Sequence, residues 1–395
     1  MAVKIILTQI MKNESHVAER MLNSIKNFVD GIVVVDTGST DNSIEIVKKW
    51  GEDNSIETYV VPRDFDNFEN SRNHSIEKAR EFFLSKNDGH TYYGMWLDFD
   101  EQLIVHPTFN KEKCDKDLYM FNTRIGAMKY TRNEFYRLDK PFKFYGPVHE
   151  FIIYGGDAKD QVTSGLMEGV EVDVKMDGGS WKADISEKYK SHASILEDYI
   201  NKVNRDPRWV FYTAQSYHDS ASVPNNREEN EERLRRALKY YKERVDRVDG
   251  YAEERYYSQL RVGSIMRQLE LPWSETLQEL LKAYSMDPSR GESIKVIVDY
   301  YLTVGEWHLA YLYSKFCKVN FFNKNPYPTK LLFVDESFYV WRILEVHAAA
   351  CYYTGRVDEA KANYIELTDI LKKSPQLFSP EDVSKINSNA QFFKG

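Results

Sequence analysis

Residues 31–43, Gly-Ile-Val-Val-Val-Asp-Thr-Gly-Ser-Thr-Asp-Asn-Ser, constrain the fold of this chain more than any other stretch. Four successive β-branched apolar residues read as a strand buried on both faces, as in a parallel sheet covered by helices. The strand stops at Asp36 and a Gly-Ser-Thr turn. Thr40, Asp41 or Asn42 can then cap a helix over 43–50. Ligands of open α/β sheets bind beyond the carboxyl ends of the strands. Asp36 and its turn therefore sit where a nucleotide would.

The surrounding sequence has the same grammar. Strands are expected over 3–10, 32–35, 57–61 and 92–97, alternating with helices over 14–28, 43–50 and 70–84. This order predicts an α/β domain with a mainly parallel sheet and helices on both faces. Residues 118–124 and 148–154 read as later strands, and 170–176 as an edge strand. The glycines at 155, 156, 165, 169, 178 and 179 read equally well as a mobile rim over the site or as loops between edge strands. From about residue 185 the pattern turns helical, with segments over 187–203, 208–219, 229–245, 252–269, 274–285, 292–304, 307–318, 338–353 and 357–372. Gly355, Ala360 and Tyr364 follow a tetratricopeptide-like pattern, which Gly305, Ala310 and Tyr313 echo. The offset between Ala310 and Ala360 is irregular for such repeats, so 320–335 reads as an insertion in a stack of helical hairpins. The expected domains are 1–183 and 184–395.

Charge and cysteines narrow the partners. With 53 basic and 61 acidic residues the net charge is −8, which argues against broad electrostatic binding to nucleic acid or to anionic membrane. Cys114, Cys317 and Cys351 form no close-spaced pair, arguing against a disulfide framework and a cysteine zinc site. The N-terminal run reads as a strand rather than a signal peptide, and no apolar stretch reaches the roughly 18–20 residues of a membrane span. The expected location is cytoplasmic.

Three Asp-x-Asp triplets occur, at 64–66, 98–100 and 115–117, so the bare motif says little. Only Asp98 and Asp100 follow an apolar strand and emerge at the same sheet edge as Asp36. Two carboxylates there suit a hard divalent cation that bridges phosphates. Arg72 lies near the start of a helix, where a structural cation opposes the helix dipole, which favours contact with a phosphate or nucleoside. His149 and Glu150 follow Gly146-Pro147-Val148. They serve one site only if the backbone turns there, because adjacent strand residues point to opposite faces. Trp181 reads as a packing residue or a stacking surface for a sugar.

The order of these motifs resembles family 2 glycosyltransferases of the GT-A fold. The matching pieces are Lys12-Asn13-Glu14, Val35-Asp36-Thr37-Gly38-Ser39-Thr40-Asp41, Asp64-Phe65 with Ser71-Arg72-Asn73, Asp98-Phe99-Asp100-Glu101, and Gly146-Pro147-Val148-His149-Glu150. With the helical region behind it, and with Arg132-Asn133, the chain is similar to the subgroup that includes S-glycosyltransferases of glycopeptide bacteriocins.

The resemblance implies a metal-dependent inverting glycosyltransferase acting from a nucleotide diphosphate sugar, UDP favoured, onto a hydroxyl or thiol of a peptide, protein or glycan. It implies that Thr8 and Ile10 line the nucleoside pocket and that Asn13, Glu14, Gly38 and Ser39 belong to the donor site. Asp36 would accept from the base, Arg72 would contact the nucleotide, and Asp98 would lie near the ribose or sugar and the metal. Asp100 would hold Mn²⁺ or Mg²⁺, and His149 would ligate metal or diphosphate. A Glu-Asp pair often supplies the base in this family. Here Glu150 follows a His, so Glu150 and Glu101 are rival bases. The helical half would present the acceptor or form a homodimer. Rival readings are an interaction scaffold with a degenerate transferase domain, a nucleotidyltransferase, and glycosylation of modified DNA bases. The intact acidic residues speak against the first. A missing Gly-rich basic loop after the first strand speaks against the second, and the acidic charge against the third.

Overall fold

The structure, a computed structural model, describes residues 2–126, 128–179, 185–221, 226–326, 329–330 and 332–393. Contacts divide the chain into two compact units, Met1–Gly126 with Tyr130–Arg205, and Ala127–Lys129 with Asp206–Gly395. Trp181 lies outside the described residues.

The first unit begins β1 (Val3–Met11), α1 (Ala18–Ile25), β2 (Gly31–Asp36), α2 (Ser43–Asn54), β3 (Glu57–Pro62), α3 (Phe68–Phe83) and β4 (Thr91–Met95). Six strands follow: β5 (Glu101–Val105), β6 (Leu118–Ile125), β7 (Met128–Arg137), β8 (Phe142–Tyr145), β9 (Phe151–Tyr154) and β10 (Ser164–Val174). Helix α4 (Ile185–Lys202) packs with this unit rather than with the helices that follow it. The main sheet runs β3-β2-β1-β4-β7-β6-β10-β5. Its first four strands are parallel, with Met11 level with Asp36 and Asp36 level with Pro62. Strand β7 then runs antiparallel to β4, and β5 antiparallel to β10. The sheet is mixed in that half.

Alternation along the buried strands explains the layers. Ile5, Leu7, Ile32 and Val34 enter one core with Met21, Leu22 and Val47 from α1 and α2. Ile6 and Val33 enter the opposite core with Ile76, Ala79 and Phe83 from α3 and Phe142 from β8. Each of these side chains larger than alanine contributes roughly 1.5–3 kcal/mol by leaving water. A continuous apolar run is what a strand covered on both faces requires.

Several expected boundaries move. Residues 146–150 are the loop of a β8–β9 hairpin, not the start of a strand. Strand β10 lies between β6 and β5 in the sheet, not at its edge. It also carries Gly165 and Gly169, so these glycines form no rim; Gly169 has φ 78° beside a register shift between Leu166 and Glu171.

The second unit contains α5 (Pro207–Ala221), α6 (Arg227–Asp246), α7 (Ala252–Gln268), α8 (Trp273–Met286), α9 (Glu292–Val304), α10 (Trp307–Phe321), α11 (Ile343–Tyr353), α12 (Val357–Lys373) and α13 (Pro380–Asn389). From α5 to α12, consecutive helices pack on one another, as in stacked hairpins. Ala310 and Ala360 are fully buried, and Gly305 and Gly355 take the left-handed backbone that ends a helix. No helix among the described residues is long and apolar enough to cross a membrane.

Candidate functional site: an arginine hub at the strand edge

Arg72 gathers the site. Helix α3 starts at Phe68, where the Asn67 side chain accepts from the Asn70 amide. Arg72 is therefore one turn inside the helix, and only 6% of it is exposed. Its Nη1 donates to Gln9 Oε1 (2.9 Å), its Nη2 to Asp98 Oδ1 (2.9 Å) and its Nε to Glu150 Oε1 (2.5 Å). Gln9 closes the ring by donating to Asp98 Oδ1 (2.9 Å). The guanidinium carbon lies 4.7 Å from the Trp96 ring centroid and 5.4 Å from that of Phe144, a favourable placement for a cation. One side chain thus ties β1, the turn after β4 and the β8–β9 hairpin loop together. Burial penalises the Asp98 charge, yet Arg72 and Gln9 hold its carboxyl below the ordinary range.

The hairpin loop is aimed by backbone contacts. Asn73 pairs with both polar groups of Phe144, donating to its carbonyl (3.0 Å) and accepting from its amide (2.7 Å). Glu69 accepts from the Gly146 amide (2.9 Å). His149 has φ 56°, which breaks strand alternation and lets Glu150 reach Arg72.

The β1–α1 and β2–α2 turns are laced together. Asp36 is 5% exposed, and its carboxylate accepts from the amides of Gly38 and Ser39 (both 3.1 Å). Ser39 Oγ accepts from the Asn13 amide (3.0 Å), and Asn13 Oδ1 from the Thr40 amide (2.7 Å). Glu14 accepts from the Gly179 amide (2.9 Å). Gly38 has φ 98°, which suits a residue without Cβ. Thr8 is buried, bonded to the Met95 carbonyl (3.2 Å) and the Tyr136 hydroxyl (2.7 Å), while Ile10 is half-buried near the strand end.

The two rival carboxylates occupy different settings. Glu150 is tied to Arg72. Glu101 is 2% exposed and shares Arg132 with Glu134, through contacts of 2.9 and 2.5 Å. Burial raises the Glu101 carboxyl and pushes Glu134 up to about 8, against the pull of Arg132. Arg132 also approaches Trp96, at 4.6 Å.

Asp100 is 9% exposed, and its carbonyl accepts from the Lys175 amide (2.9 Å). Two residues of α4 that carry no motif join this neighbourhood. Burial pushes the Lys188 ammonium down, against the pull of Asp100 and Asp98. The His192 ring lies 5.8 Å from that of His149, and burial, with Lys188 beside it, pushes His192 down to about 4. Gln9, Lys188 and His192 were not legible as site residues, since none stands in a recognisable spacing.

The donor set at the turn after β4 fits a hard cation, since carboxylate oxygens are the ligands Mg²⁺ takes while keeping waters and phosphate oxygens as the rest of its shell. Among the described residues, Asp98, Asp100 and His149 do not bring three ligand atoms within 4.8 Å; a group that does is His347, Cys351 and Glu359 of the second unit. In the other two Asp-x-Asp triplets the last aspartate is tied into the local structure. Asp66 accepts at the start of α3 from the Asn67 amide and the Asn70 side chain, and Asp117 pairs with Lys140 (2.7 Å) and Thr163.

Residues 10–134 match the model of glycosyl transferase family 2. The SPbeta prophage-derived glycosyltransferase SunS of Bacillus subtilis strain 168 is 21% identical over 249 residues, covering 59% of this chain and 53% of SunS. The chain thus spans about half the length of that relative. A TPR repeat-containing protein of Synechococcus elongatus is 27% identical over 155 residues, 37% of this chain and 34% of its own. Among solved structures, S. aureus TarS 1–349 in complex with UDP-GlcNAc covers 68% of this chain and 90% of its own at 15% identity, with a TM-score of 0.36. The similarity to glycosyl transferase family 2 thus lies over residues 10–134.

Proposed function

We propose that the protein transfers a sugar from a nucleotide diphosphate donor, UDP favoured, to a hydroxyl or thiol acceptor, with inversion at the anomeric carbon. The observation that carries this reading is the hub at Arg72, which lies with Asp98 inside the family 2 match and joins it to Gln9 and Glu150 on either side of that match. Asp36 and the Gly38-Ser39 turn would read the base, beside Ile10. Asn13 and Glu14 would support that turn, and Thr8 would support the pocket wall through Tyr136. Asp98 would face the ribose or sugar. Asp100 would hold Mn²⁺ or Mg²⁺, with Asp98 or His149 as a further ligand, and the ion would supply charge neutralisation at the leaving diphosphate.

Glu150 is the stronger candidate for the base. It shares Arg72 with Asp98, whereas Glu101 is sealed behind Arg132. In the step, the acceptor oxygen or sulfur bonds to the anomeric carbon, the bond from that carbon to the diphosphate breaks, and the acceptor proton passes to Glu150. The helical unit would supply acceptor recognition. It holds a cavity of about 560 Å³ lined by Tyr352, Tyr353, Tyr364 and Phe393 among others, a surface suited to a peptide.

The test is a hydrolysis and thermal-shift screen of nucleotide sugars with Mn²⁺ or Mg²⁺, comparing wild type with Asp100→Ala. Hydrolysis of at least one donor by wild type, lost in the variant, is expected. No hydrolysis and no thermal shift with any donor would sink the enzyme reading and favour the scaffold.

A further inference from the structure

We infer that His347, Cys351 and Glu359 form a zinc site that clips α11 to α12. The first two stand four residues apart, on one face of α11, and Glu359 stands in the first turn of α12. The fold therefore assembles donors that show no metal spacing in sequence, and the site needs one cysteine rather than a pair.

The distances suit the ion. Cys351 Sγ lies 3.6 Å from His347 Nε2, and that nitrogen lies 3.2 Å from Glu359 Oε1. All three ligand atoms lie within 4.8 Å of one another. Zinc bonds of about 2.3 Å to sulfur and about 2.0–2.2 Å to nitrogen and oxygen, set tetrahedrally, give edges of about 3.6 Å and about 3.4 Å. Three protein ligands leave the fourth position to water.

The surroundings orient the donors. Ser314 Oγ sits 2.9 Å from His347 Nδ1. A hydroxyl both donates and accepts, so it supports the tautomer that frees Nε2 for a metal, as outer partners of ligating histidines do. The Tyr311 hydroxyl donates to Glu359 Oε2 (3.1 Å), leaving Oε1 turned toward His347. His347 and Cys351 are fully buried, while the Glu359 side chain is 29% exposed and gives the ion its way in. The Lys315 ammonium pairs with Glu359 Oε1. Its side chain is 45% exposed, free to swing into water when a dication takes its place.

The plain alternative is a neutral histidine hydrogen-bonded between Ser314 and Glu359, with Cys351 as packing. Cobalt separates the two. Full-length protein stripped of metal and titrated with Co²⁺ should show a thiolate-to-metal charge-transfer band that saturates at one equivalent and is displaced by Zn²⁺. Cys351→Ser should abolish the band, while Cys114→Ser and Cys317→Ser keep it. Asp100→Ala should also keep it, which separates this site from any cation at the strand edge. Glu359→Gln, at a partly exposed position, is the second variant should Cys351→Ser not fold, and it should weaken Zn²⁺ binding. Ser314→Ala should weaken it about 10-fold, and Lys315→Ala should tighten it. Absence of the band at one equivalent, its survival in Cys351→Ser, or unchanged Zn²⁺ affinity in Glu359→Gln overturns the site.

Discussion

Arg72 in the sheet unit and Arg290 in the helical unit begin alike and end differently. Each is buried, each sits against an aromatic ring (Trp96 at 4.7 Å, Tyr256 at 4.6 Å), and each is paired with carboxylate. Arg290 bonds to Glu292, two residues on, and to the carbonyls of Leu332 (2.8 Å) and Phe333 (3.1 Å). Glu292 also accepts from the Tyr339 hydroxyl (2.7 Å). That network is sealed and pins the end of the insertion between α10 and α11. Arg72 instead holds side chains from three separate elements, and the Asp98 side chain keeps 35% of its surface exposed. The contrast shows what separates a staple from a site. Both neutralise buried charge, but only one leaves its acidic partner open to a ligand.

The largest effect that would break this contrast concerns Glu150. Glu150→Gln should lower transfer about 10²–10⁴-fold, the usual worth of a general base, while donor binding measured by calorimetry persists. Glu101→Gln should retain transfer. The reverse outcome moves the base to Glu101. Next come the arginines themselves. Arg290→Ala should cost about 3–5 kcal/mol in urea unfolding, because it strands a buried charge, yet the folded fraction should keep its kcat. Arg72→Gln should instead reduce kcat/KM about 10²–10³-fold, the loss expected when a charge-stabilising donor is removed. Loss of kcat in Arg290→Ala would erase the distinction.

A smaller effect concerns pH. Burial pushes the Glu134 carboxyl from its ordinary value near 4.5 up to about 8, so the folded state holds the extra proton between these values. Its contribution is complete below about 4.5, falls as pH rises toward about 8, and is flat above. Thermal melts across that window should decline less steeply for Glu134→Gln than for wild type; parallel profiles would contradict the assignment. Last, Asp36→Ala should weaken donor binding about 10-fold, the loss of one charged hydrogen bond, with kcat nearly unchanged. A fall in kcat with donor affinity intact would recast Asp36 as part of the chemical step.

Much of the fold was legible because local physics wrote it. The β-branched runs of β1 and β2 have only one comfortable setting, a strand covered on both faces. The helical half declared itself through apolar periodicity and Gly305 and Gly355 at helix ends. Strand β7 was hidden, because Lys129, Arg132, Asn133 and Glu134 mask its alternation with charged and polar side chains. Strand β10 read as an edge since its polar alternate residues suggest one wet face, yet partners on both sides place it within the sheet.

For the site, the strand-end motifs at Asp36, Asp98 and Asp100 were determined by the sequence itself, since an apolar strand followed by Asp and a turn puts its carboxylate at the sheet's carboxyl edge. So was the placing of Arg72 near a helix start, where the dipole disfavours a merely structural cation. Tertiary structure alone decided which groups meet. Arg72 reaches Gln9, 63 residues away, and Glu150, 78 residues away, and the left-handed turn at His149 aims Glu150 inward. His347, Cys351 and Glu359 likewise meet only because α11 and α12 pack side by side. Local sequence carries period, capping and turn chemistry; partners distant in the chain are chosen by packing, to which short-range pattern is blind.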